Sequence, residues 1–138
     1  MFDVLGDLNY LAVGAAVLAA IVLAGLYFAV LVPRYYAVAL GRQDAPPAAH
    51  TLLSNAGPPV CILVTTFTSA VLLRALHVTG LKDAVVFGLI VGVGYLTAMT
   101  YQIAINPNFP RPLYYGALNA PYFIGSSALT SVILVQIE

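Results

Sequence analysis

The side chains in this sequence with chemistry to offer are two histidines, one cysteine and a set of hydroxyls and amides. A metal or haem would need converging imidazoles. His50 and His77 lie in polar stretches that four membrane crossings would put on opposite faces, so solvated imidazoles are expected. Cys61 has no second thiol at a CxxC or zinc spacing. As a nucleophile it would need a base or a cation beside it to lower its pKa, and the residues around it are apolar. Asp44 and Asp83 are flanked by Arg42 and Lys82, as surface charges usually are. No Gly-rich phosphate loop, HExxH helix or Ser nucleophile elbow is present. The expectation is a chain with no catalytic, cofactor-binding or metal-binding residue, and not an enzyme.

The uncharged polar groups are the stronger candidates. Thr65 and Ser69, then Tyr95, Tyr101 and Gln102, then Asn119, Ser126 and Thr130 fall in three successive apolar segments, where they could gather between helices. Gathered, they could line a path for a small polar solute. The competing reading is hydrogen bonding between helices, at about 0.6 to 2 kcal/mol each. The second is favoured, because no carboxylate or Lys sits mid-segment as ion and proton routes require.

The elements that must position these groups are organised around Ala84 to Tyr115. About 22 mostly apolar residues there span roughly 33 Å as a helix, the thickness of a bilayer's hydrocarbon core. Gly88, Gly92, Tyr95, Met99 and Gln102 share one helical face. Composition agrees: 62% of the 138 residues are hydrophobic and 7% charged, with a mean hydropathy of +0.97. A soluble fold of this size cannot hide that much apolar surface. Five basic and five acidic residues cancel, so no basic patch for nucleic acid exists.

The fold expected is all-α: four transmembrane helices in a bundle with antiparallel neighbours and short loops, forming one integral membrane domain over 1–138. The spans are placed at 8–32, 58–76, 84–105 and 113–137. The first apolar run, about 25 residues, exceeds a signal-peptide core of about 7 to 15 and reads as a retained span. Pro33 and Arg34 mark the exit of the first span, and the first half of Arg34 to Asn55 suits a short interfacial helix ending at Gly41, which Pro46-Pro47 forbids from continuing. Asn55 is the expected N-cap of the second span, ahead of Pro58-Pro59. Three prolines between Pro107 and Pro112 exclude a helix before the last span. Pro121 either kinks that span or follows a helix start at Asn119; the latter is preferred. Gly14, Gly25, Gly88, Gly92 and Gly94 are candidates for close helix packing, within the chain or between copies. Arg34, Arg42 and Arg111 on one side, against Lys82 and, if it snorkels outward, Arg74 on the other, lean the termini away from the cytoplasm. Pro33-Arg34-Tyr35-Tyr36 and Pro110-Arg111 with Tyr114-Tyr115 each precede an even-numbered span, an echo for which shared interface chemistry is preferred over duplication.

Asn9-Tyr10-Leu11-Ala12-Val13, Gly25-Leu26-Tyr27 with Tyr35-Tyr36, a Gly-rich third helix and Arg111-Pro112-Leu113 resemble the small bacterial membrane proteins grouped as domain of unknown function 1761. At that family's Gly-x-Trp-Tyr position this chain has Gly25-Leu26-Tyr27-Phe28, and it contains no Trp. The resemblance implies a four-helix fold in a bacterial plasma membrane and carries no assigned activity. The partners expected are the lipid bilayer and either a second copy or another membrane protein, with passage of a small polar solute as the alternative.

Overall fold

The computed structural model describes residues 3–137. Its helices are α1 (Tyr10–Leu31), α2 (Pro33–Ala39), α3 (Leu52–Ala75), α4 (Leu81–Ala104) and α5 (Pro112–Gln136), with no strand among the described residues. All but α2 are long and apolar enough to cross a membrane.

Each boundary has a local cause. Asn9 caps α1 by accepting from the amides of Leu11 and Ala12. α2 opens on Pro33, where a missing amide is harmless. It closes in a Schellman turn: Gly41 at φ +66°, with the Arg42 amide on the Ala37 carbonyl and the Gly41 amide on Val38. α3 ends in the same motif, but with His77 at φ 55° in the left-handed position, which costs a side chain bearing Cβ more than it costs Gly.

Two starts differ from the sequence expectation. α3 begins at Leu52, capped by a Thr51–Ser54 box, so Asn55 is not the cap and Pro58 and Pro59 lie inside the helix. The carbonyls of Ser54 and Asn55 thereby lose their amide donors, a small cost because both residues are exposed at the helix end. α5 runs unbroken from Pro112 through Pro121. Asn119 is no cap: its Nδ2 donates to the Tyr115 carbonyl at 2.8 Å.

The helix in the middle is α5. In its most apolar window 44% of residues are buried, against 17% to 22% in the others. α1 runs antiparallel to it, tied at one end by Asn9 Nδ2 to the Ile137 carbonyl (2.6 Å) and at the other by the Tyr27 hydroxyl to the Leu118 carbonyl (2.7 Å). The first of these bonds sets the start of α1 beside the end of α5. α4 is antiparallel too, because Gly88 meets Ala128 and Gly92 meets Ile124.

Burial is inverted relative to a water-soluble protein. The interior is built from small residues, Ala12, Ala16, Ala20, Ala70, Ala84 and Ser131 among them, while Leu11, Leu52 and Leu53 stand 77%, 85% and 81% exposed. Small residues inside and large apolar ones outside are what helices need when the surrounding solvent is hydrocarbon. This is an integral membrane protein.

Candidate functional site

The hydroxyls inside the membrane are held mainly by their own helices. Thr65 donates to the Cys61 and Ile62 carbonyls (both 3.0 Å), Thr68 to Val64 (2.9 Å), Thr130 to Ser126 and Ser127 (3.0 and 3.1 Å), and Ser131 to Ser127 (2.8 Å). Each reaches back three or four residues, the local bond that Ser and Thr make in any helix. These Ser and Thr hydroxyls thus bond along one helix rather than from one helix to the next. Among the side-chain bonds that do cross are those of Asn9, Tyr27 and the Tyr36–Tyr115 pair.

The eight expected polar residues fall in separate places. Thr65, Ser69, Ser126 and Thr130 line one hollow of about 100 Å³ between α3, α4 and α5, together with Thr66, Ser127, Cys61 and Tyr122. Asn119 lines an adjoining chamber of about 510 Å³ at the α2 end, among Phe28, Tyr36, Tyr115, Tyr122 and Phe123. Tyr101 lies in the last turn of α4, its ring filling the place where a side chain on Gly116 would stand. Tyr95 and Gln102 join neither group. They are exposed on the outer side of α4, around a shallow depression of about 360 Å³ with Gly94 and Met99.

The glycines divide in the same way. A Cβ on Gly88 would stand 2.5 Å from the Ala128 Cα, and one on Gly92 2.8 Å from the Ile124 Cα, so these two set the close approach of α4 to α5. Gly14, Gly25 and Gly94 would meet nothing within 4 Å. They face outward and contribute no packing inside the chain.

The aromatic cluster at the chamber was not anticipated. α1 ends in a π-helical stretch, Leu26–Leu31, whose wider turns bring the consecutive Tyr27 and Phe28 inward together. Both rings pack on Tyr122, at 6.0 and 5.0 Å between centroids. Tyr27 then donates to the Leu118 carbonyl, one residue beyond the Ala117 carbonyl that Pro121 leaves without its amide donor. Tyr36 sits on α2 beside Tyr115, with their hydroxyls 3.4 Å apart. Burial, with the hydrogen bond and charge of Tyr115 adding to it, holds the Tyr36 phenol well above the ordinary tyrosine pKa. The Tyr35-Tyr36 and Tyr114-Tyr115 doublets were visible in sequence, but only the fold shows that one ring of each meets the other.

Among the described residues no three His, Cys, Asp or Glu side chains converge as metal ligands. His50 lies in an exposed loop and His77 caps α3 at the other end of that helix.

A family model described as "protein of unknown function (DUF1761)" matches residues 11–135, which takes in all four long helices almost whole. The chain matches no curated protein and no solved structure.

Proposed function

This chain belongs to the DUF1761 family, and from that premise we propose that it is a non-enzymatic membrane protein that works by helix association, pairing with a second copy through the outer face of α4. The observation carrying this reading is Tyr95. It lies about 4 Å from the middle of its span at 1.5 Å per residue, is 69% exposed, and its hydroxyl has no partner among the described residues. A phenol hydroxyl facing hydrocarbon without a partner is costly, and a neighbouring helix removes that cost. Gly94 beside it leaves room for another backbone, and Gln102, two turns on, carries both a donor and an acceptor in one carboxamide.

Those features favour a second copy over an unrelated helix. Copies inserted in the same direction bring Tyr95 opposite Tyr95 and Gln102 opposite Gln102 at equal depth. Each of these groups both gives and accepts a hydrogen bond, so like pairs satisfy themselves. The membrane in this reading is a bacterial plasma membrane, with Arg34, Arg42 and Arg111 on the cytoplasmic side and both termini opposite. Mass measurement of the protein in mild detergent tests the pairing: twice the 14.5 kDa of one chain is expected. A strictly monomeric species, or one paired only with a different protein, overturns it.

A second reading, passage of a small polar solute, is favoured by the hydroxyl-lined hollow between α3, α4 and α5. Solute flux into liposomes that Ser127→Leu abolishes would support it; flux no greater than through empty liposomes would remove it.

A further inference from the structure

The hydroxyl-lined hollow and the aromatic chamber share Cys61, Ile62, Tyr122 and Phe123, so they adjoin along one cleft. Its two ends differ in chemistry. At the mouth, where α2 lies, the walls are mainly aromatic, with Phe28, Tyr36 and Tyr115 foremost and the Asn119 carboxamide, which donates to its own helix, among them. At the inner end, within about 8 Å of the α3 and α5 midpoints, the walls carry Thr66, Ser69 and Ser127. These three residues are only 3%, 7% and 6% exposed, and their hydroxyls bond to nothing among the described residues, unlike those of Thr65 and Thr130. The enclosed side-chain oxygen without a partner among the described residues is Thr97 Oγ1, so the three hydroxyls are not sealed in the packing but open on the hollow, where a hydrogen-bonding occupant can reach them.

This polarity runs opposite to that of the bilayer. A phospholipid sets its charged head at the surface and its chains at the centre, so an acyl tail entering the cleft would leave the three hydroxyls unsatisfied. No Asp, Glu, Lys, Arg or His lines either hollow, and an ion at that depth would be uncompensated. The inner hollow has room for a small polar group, and the chamber, about 510 Å³, is within the size range of small-molecule sites.

We propose that the cleft between α1, α3, α4 and α5 is a binding site for an uncharged lipophile bearing a hydroxyl or carbonyl group, whose polar end meets Thr66, Ser69 and Ser127 while its apolar or aromatic body lies among Phe28, Tyr122 and Phe123. Occupancy of the site requires no passage across the membrane, and the site is separate from the Tyr95 face.

Cys61 is the chain's sole thiol and lies where the two hollows join, so it reports occupancy. In phospholipid nanodiscs its alkylation by N-ethylmaleimide is followed by intact mass with three probes of one shape: 4-butylphenol, butylbenzene and 4-butylbenzoate. The phenol is expected to slow alkylation about fivefold more than butylbenzene, the worth of one neutral hydrogen bond, and the benzoate to have no effect. Thr66→Val with Ser127→Ala should abolish the advantage of the phenol. Because those hydroxyls bond to nothing, the doubly substituted protein keeps its fold, and helicity by circular dichroism checks that. Equal slowing by phenol and butylbenzene, slowing by the benzoate, no slowing by any probe, or an advantage that survives the double substitution would each overturn the proposal.

Discussion

The two faces of α4 carry the same small and polar residue types and end up in opposite surroundings. On the inner face Gly88 and Gly92 let the backbone of α5 come so close that no side chain fits between them. On the outer face Gly94 meets nothing, and Tyr95 and Gln102 extend beyond the packed helices. A glycine in a helix costs about 0.5 to 1 kcal/mol relative to Ala wherever it stands. Inside, close packing offsets that cost; outside, no contact among the described residues does, and the proposed pairing would supply one. The difference teaches that a small-residue pattern specifies close approach without specifying to what.

The most severe way to break the comparison is Gly88→Leu, which forces a side chain against the Ala128 backbone. Overpacking of this kind is expected to cost about 3 kcal/mol, read as lost resistance to denaturing detergent, whereas Gly94→Leu should leave the single chain's stability within about 0.5 kcal/mol. Tyr95→Phe comes next and acts only on association. It should weaken pairing about fivefold to tenfold, the worth of one membrane hydrogen bond, measured by dilution into excess detergent micelles, with folding of the single chain unchanged.

Tyr27→Phe sharpens the inner side. Loss of its 2.7 Å bond to the Leu118 carbonyl is expected to destabilise by about 1 kcal/mol. If the hydroxyl braces the helix at its proline, combining it with Pro121→Ala should recover part of that loss, which a double-mutant cycle would register. A smaller effect is expected at the end of α3. His77→Gly should stabilise by about 0.5 to 1 kcal/mol, since φ 55° suits Gly. The same motif after α2 already has its Gly, and Gly41→Ala should destabilise, with Pro110 only 3.1 Å from the added carbon.

Tyr36 adds a pH dependence. Its folded-state pKa lies above the ordinary tyrosine value of 10.0, so its contribution to stability is fully present below about pH 10 and is lost as pH rises further. Stability of the unaltered protein should therefore fall more steeply above pH 10 than that of Tyr36→Phe, with phenolate absorbance locating the transition.

Much of the fold was legible in the sequence, because a bilayer demands about 20 apolar residues per helix and the chain offers four such runs. The short helix closing at Gly41 was legible for the same local reason that it forms. Pro58-Pro59 and Pro121 misled, since proline was read as a boundary. In α3 the stronger Thr51 box starts the helix earlier, and in α5 the helix carries its proline within a packed interior. Which polar residues meet was not legible. The long helices are apolar nearly all round, so the sequence does not fix their rotation. The π-helical stretches at Leu26–Leu31 and Ile90–Thr97 also shift the facing of every residue beyond them. Thr66 and Ser127, adjacent to residues that were singled out, were missed for that reason.

Oxidative cross-linking in the native membrane tests the outer face of α4 most directly. In a Cys61→Ser background, Met99→Cys places a thiol on that face and Leu18→Cys places one on the exposed side of α1. A disulfide-linked dimer is expected for Met99→Cys and none for Leu18→Cys; no dimer at Met99, or equal yields at both positions, would contradict pairing through this face.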